Sequence, residues 1–278
     1  MKYRLLVSVT IFILLAISAV EVMAQGDLLI YPMSVVFDGS RRSQELNIAN
    51  TGKDTANYNI SIIEIKMKDD GSFEQITVPD SGQNFADKNI RFFPRKISLA
   101  PNEAQVVKIQ LVQTNELTPG EYRSHLYFRS VPVEKPLGDT ASEKARKDIA
   151  VSLVPVFGIS TPVIIRVGEN TAAVTLSDVS FEMAGNQTPM LHFSFNRTGN
   201  MSVYGDIKVE YISQAGKVTE VKQIKGVAVY TPNTVRHFAT DLNNPGSVDY
   251  SKGKLRVSYL AQKSKSAVKI AETELALK

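Results

Sequence analysis

Run after run of this chain places large apolar residues on every second position, and that alternation is the feature that most restricts its fold. Tyr122, Ser124, Leu126 and Phe128 share one parity, with Arg123, His125, Tyr127 and Arg129 on the other. Val107, Ile109 and Leu111 alternate with Lys108 and Gln110, and Leu46 and Ile48 with Asn47. A period of two is the period of a strand with one face on a core. In Tyr58-Asn-Ile-Ser-Ile62 the apolar parity is even, then it switches to Ile63, Ile65 and Met67. A switch inside one strand predicts either a β-bulge or a change of packing face. Asp69-Asp70-Gly71-Ser72 and Thr118-Pro119-Gly120 supply turns. About seven such runs separated by turn signals predict a β-sandwich.

A second series follows Thr161-Pro162. Leu191, Phe193 and Phe195 alternate with polar residues, as do Ile207, Val209 and Tyr211, then Leu255, Val257 and Tyr259, then Leu275 and Leu277. This predicts a second sandwich of about 110 residues. Helix signals are nearly absent, so the expected class is all-β with two immunoglobulin-like sandwiches.

Ahead of both, Lys2 and Arg4 precede an apolar run from Leu5 to Val20, and Val22-Met-Ala24 is a small-x-small cleavage pattern. This reads as a secretory signal over residues 1–24. The expected domains are 25–160 and 161–278, with the last strand of the first at about 148–159. No cysteine is present, so the cores must hold by burial alone. Net charge is +4, too small to argue for a nucleic-acid partner.

Between the series lies Ile149 to Ile159. Ile149, Val151 and Leu153 alternate with Ala150 and Ser152, and after Pro155 both parities are apolar. One row suits the strand's own domain and the other suits something else. The segment Pro132 to Asp148 before it carries eight charged residues with Pro132, Pro136 and Gly138, and reads as an exposed loop. The plainer reading of 149–159 is an ordinary last strand buried on both faces.

Catalytic chemistry is not visible. His125, His192 and His237 are scattered singly, without metal-ligand spacing. There is no Gly-x-Ser-x-Gly elbow and no phosphate loop. No enzyme, metal site, cofactor or small-molecule substrate is expected.

Four stretches, in order, resemble the PapD-like periplasmic pilus chaperones. They are Val35-Val-Phe-Asp-Gly-Ser40 with Leu46-Asn-Ile-Ala-Asn-Thr-Gly52, then Phe93-Pro-Arg-Lys-Ile-Ser-Leu-Ala-Pro-Asn-Glu103 continuing to Lys108, then Gly120-Glu-Tyr-Arg-Ser-His-Leu-Tyr-Phe128, and Val154-Pro-Val-Phe157. The second has Asn102 where the family has Gly, and the last is similar to the archaic-like branch. The second series matches only in size and strand content.

The resemblance implies two sandwiches set at an angle around a cleft. It implies a periplasmic protein that lends the last strand of its first domain to a pilus subunit lacking a strand, before transfer to an outer-membrane usher. Ile149, Val151 and Leu153 would then enter the subunit's groove. A free chain with such an edge is expected to self-associate to cover it. The family's best-known branch grips the subunit's terminal carboxylate with a basic pair. Here Ser34 stands at one of those positions and Phe157 or a neighbour at the other, so Arg95, Arg123 and Arg129 are the candidate replacements. The competing readings are an envelope scaffold of the same fold that lends no strand, and an adhesive sandwich; the absence of Trp weakens the second.

Overall fold

The computed structural model describes residues 28–132, 155–185, 188–243, 248–263 and 266–277. The expected signal, most of the charged loop, and Ile149, Val151 and Leu153 lie outside the described residues.

The first sandwich is built from β1 (Leu28–Tyr31), β2 (Val35–Phe37), β3 (Ser43–Asn50), β4 (Ala56–Met67), β5 (Phe73–Ile76), β6 (Ile90–Phe93), β7 (Lys96–Leu99), β8 (Ala104–Leu111), β9 (Gly120–Ser130) and β10 (Gly158–Val167). One sheet has the order β1-β3-β8-β6; the other has β2-β10-β9-β4-β5, with β7 also on β4. Their inner faces meet where the alternation says they must. Leu46, Ile48, Val107 and Ile109 face Ile60, Leu126, Phe128 and Val163 in one buried cluster. Lys108 and Gln110, on the other parity of β8, are exposed. Asn102 occupies the left-handed region at φ 61°, which suits Asn at a position where the resemblance expects Gly.

The second sandwich comprises β11 (Ala173–Ala184), β12 (Thr188–Thr198), β13 (Val203–Ile212), β14 (Val218–Val229), β15 (Val235–Asp241), β16 (Gly253–Lys263) and β17 (Ser266–Leu277). Its sheets have the orders β11-β12-β15 and β14-β13-β16-β17. Leu191, Phe193 and Phe195 pack against Ile207, Val209, Leu255, Val257 and Tyr259. The chain is thus all-β with two sandwiches, the class the alternation predicts.

Two local details differ from the sequence reading or decide it. The parity switch in β4 is a change of packing face: β4 pairs with β9 and β5 without a register break, and Met67 packs with Val36 and Ile164 against Ala228 and Tyr230 of the second sandwich. Thr161-Pro162 is not a junction. It lies inside β10, which stays in the first sandwich to Val167, beyond the expected boundary after residue 160. Pro162 is tolerated there because the ladder with β9 runs through odd residues of β10, as Ser130 N–H donating to the Phe157 carbonyl shows. Its missing N–H therefore faces the other edge, where β2 pairs only from Val163 to Ile165.

Candidate functional site

The outer face of the six-stranded sheet can be read as rows across paired strands. Glu121 pairs with Arg166, Arg123 with Ile164, His125 with Pro162, Tyr127 with Ser160 and Arg129 with Gly158. Asn59 continues the last row to Lys96. The second sandwich covers the first rows; the last ones are open.

Under the cover, one carboxylate ties the two sandwiches together. Glu121, buried on β9, accepts hydrogen bonds from Ser202 N–H at 2.9 Å, from Ser202 Oγ, and from Thr231 Oγ1 at 3.4 Å. Arg166 Nε donates to it at 3.3 Å while Arg166 Nη2 donates to the Ser202 carbonyl at 3.0 Å. Arg123 Nη1 lies 3.7 Å from Glu121 Oε1. Arg123 Nη2 donates to the Thr231 carbonyl at 3.1 Å, and the guanidinium sits 4.2 Å over the Tyr230 ring. Burial lowers the Arg123 pKa from its ordinary value, with the charge of Glu121 opposing that shift. A buried cation needs a partner, and Glu121 is that partner.

The three candidate anchors therefore part company. Arg123 is 2% exposed and committed to the junction. Arg95 is exposed, lies 4.8 Å over the Phe92 ring, and precedes β7, on the far side of β4 and β9 from β10. Arg129 is exposed, pairs directly with Gly158, and makes no ion pair among the described residues. The structure brings Arg129 alone of the three to the start of β10.

Among the described residues, that start is an open edge. Gly158 and Ser160 turn their backbone groups away from β9, and β2 does not reach them. Phe157 remains tied to β9, donating to Ser130 Oγ at 2.8 Å and accepting from Ser130 N–H at 2.8 Å. Val156 and Phe157 are 43% and 42% exposed, large apolar side chains in front of backbone that pairs with no other described residue on this edge. Gly158 is a close-approach glycine: a Cβ there would run into the ring and hydroxyl of Tyr127, so the row packs flat.

Two groups beside the junction carry opposite pH dependences. Burial pushes Glu64 up to about 7, opposed by its hydrogen bond from Ser124 Oγ at 2.6 Å. Burial, then the charge of Arg123, pushes His125 down to about 3. For Glu64 the folded value is raised, so its contribution to stability is present below about pH 4.5 and lost as pH rises to about 7. For His125 the folded value is lowered, so its contribution is present above about pH 6.5 and lost as pH falls towards 3. Between these limits the two slopes oppose each other. Glu64→Gln keeps an acceptor for Ser124 and removes the first term. The expected result is a gain on the order of 1–2 kcal/mol at pH 8 over the parent, after discounting for partial exposure, and little change at pH 4. Urea titrations at both pH values test this; equal offsets at pH 4 and pH 8 would refute it.

Sequence reasoning missed Glu121, Arg166, Ser202 and Thr231. The available signal was the composition of the outward parity of β9, where Glu121, Arg123 and His125 are adjacent on one face and all buried. Of the histidines, His192 Nε2 lies 3.3 Å from Glu182 and His237 Nδ1 is 3.0 Å from Ser194 Oγ. No group of three or more candidate metal ligands forms among the described residues.

The fold and site define a two-sandwich protein in which, among the described residues, the last strand of the first sandwich begins on an open edge. No protein-family model matches the chain, and no curated protein matches it by sequence. Solved structures similar to it include several chaperones, one of them the class 5 fimbriae chaperone CfaA. The YadV chaperone is 13% identical over 90% of this chain and 100% of its own, with a TM-score of 0.44. The Escherichia coli chaperone DraB is 14% identical over 90% and 96%, with a TM-score of 0.41. The Pseudomonas aeruginosa chaperone CupB2 is 14% identical over 90% and 99%, with a TM-score of 0.40.

Proposed function

We propose that this protein is a periplasmic chaperone for pilus or fimbrial subunits, and that it lends them the strand leading into β10. The observation that carries the reading is the open edge at Gly158 and Ser160, behind an alternating apolar segment. Odd residues of β10, including Ile159, Val163 and Ile165, face the first sandwich's core. Counted back along the chain, that parity is the parity of Ile149, Val151 and Leu153. A strand lent along this edge would offer one continuous apolar row to both partners. The PapD-like stretches of the first domain support the same reading.

The energetics suit a strand that pairs as well as packs. Burying three such side chains contributes roughly 5–9 kcal/mol, whereas association costs about 4–15 kcal/mol. Backbone hydrogen bonds to the partner are therefore part of the binding, and an open edge is what supplies them. Arg129, which pairs with Gly158, would then be the side chain to meet a carboxylate of the bound subunit. Free chains would cover the same edge by self-association, and an outer-membrane usher would receive the complex.

Co-expression with subunits whose sandwich lacks a strand tests the proposal. The expected product is a soluble one-to-one complex. Subunits that remain insoluble with or without this chain would argue against it.

A further inference from the structure

The turn between β4 and β5 does more than reverse the chain. Gly71 N–H and Lys68 N–H close it against Lys68 and Ser72 carbonyls, each at 2.8 Å, and Asp70 Oδ1 accepts from Ser72 N–H at 2.8 Å. Thus stiffened, its tip reaches the second sandwich. The Asp69 carbonyl accepts from His237 N–H at 2.6 Å, a backbone pairing to β15. Asn233 Nδ2 donates to Asp69 Oδ1 at 3.0 Å.

β15 is the edge of its three-stranded sheet, paired only with β12. An edge strand presents unpaired backbone groups, and the tip of the turn satisfies one of them. Arg236, also on β15, lies under the tip. Its Nη1 donates to the Ala228 carbonyl, and its guanidinium is 5.5 Å from the Phe238 ring centroid. Its Nε and Nη2 lie 2.5 Å from where a Cβ on Gly71 would be. A side chain at Gly71 would have to push the Arg236 guanidinium aside, and the φ of 81° there is one that side chains rarely adopt. Behind the tip, Phe73 lies between Tyr230 of the second sandwich and His125 of the first, with centroids at 6.2 and 6.5 Å.

We infer that the β4–β5 turn is a strap that fixes the angle between the sandwiches by sealing the free edge of β15. The contacts around Glu121, Arg123 and Tyr230, with Met67 and Ile164 packed on Ala228 and Tyr230, hold the sandwiches at the junction itself. The Asp69 attachment to β15 adds a further point of contact that restricts the remaining rotation. The inference concerns the free chain and does not rest on the proposed function.

The absence of cysteine makes the test direct. Lys53→Cys on the first sandwich and Gln214→Cys on the second, both exposed positions, carry spin labels for a distance distribution. Gly71→Val places a β-branched side chain at a φ it rarely adopts and against Arg236, which disfavours the docked turn. The expected result is a broader distribution than the parent's and at least about tenfold faster hydrogen exchange at the His237 amide. Asn233→Ala, which leaves the turn intact, should move both readouts in the same direction by less. If the distribution stays as narrow as the parent's in both variants, the strap does not set the angle, whatever happens at His237. If His237 keeps its protection in both Gly71→Val and Asn233→Ala, the edge is not sealed by the turn. Either outcome overturns the inference.

Discussion

Glu121→Ala should cost this protein about 3–5 kcal/mol of stability, the largest loss expected from any single truncation at the domain junction. The magnitude follows from what remains, not from the bonds removed. Arg123 is 2% exposed, and without Glu121 its charge stays buried with no carboxylate against it. Ser202 N–H and Oγ, both directed at Glu121, lose their acceptor inside the same contact. Arg166 is partly exposed, so water can replace its partner and its share of the loss is small. Arg123→Met in the Glu121→Ala background should recover part of the loss, since removing a stranded charge relieves the main cost. Chemical denaturation of the two variants measures this. A Glu121→Ala protein within about 0.5 kcal/mol of the parent would show that the junction does not depend on this carboxylate.

The second large effect falls on binding and leaves folding alone. Leu153→Asp with Val151→Asp should abolish the subunit complex, weakening it by at least about a thousandfold. Each replaced side chain forfeits about 1.5–3 kcal/mol of burial. Each carboxylate must also leave water for an apolar groove, which costs several kcal/mol more. At 1.4 kcal/mol per tenfold, even the lower sum exceeds the threshold for loss of a complex. Both residues precede β10, so the free variant should melt with the parent. Titration of the variant against refolded subunit, with a thermal melt of each free protein, checks both halves. Undiminished binding would favour a scaffold or adhesive protein of the same fold that lends no strand.

The cores of both sandwiches were legible in the alternation. Leu46, Ile48, Val107, Ile109, Leu126 and Phe128 are buried on the parity predicted for them, and so are Leu191, Phe193 and Phe195. Period two reports which face of a strand meets its own partner sheet, and each of these faces does. It is silent on what covers the opposite face. That is why nothing in the alternation marks Arg123 as buried at a junction, and why the switch at Ile63 to Met67 leaves two readings open. Contacts between Glu121 and Ser202, or between Asp69 and His237, join residues far apart in sequence and have no periodic trace. Thr161-Pro162 misled for a related reason: proline signals a break wherever both edges of a strand are paired, and at residue 162 one edge is open.

Hydrogen exchange on the complex tests the central claim most directly. If the strand is lent, amides from Asp148 to Leu153 should exchange freely in the isolated chain at concentrations low enough to keep it monomeric, and become protected when a subunit binds. Gly158 and Ser160, whose N–H groups face the open edge, should gain protection with them. A stable complex in which these amides exchange as fast as in the free protein would contradict strand lending.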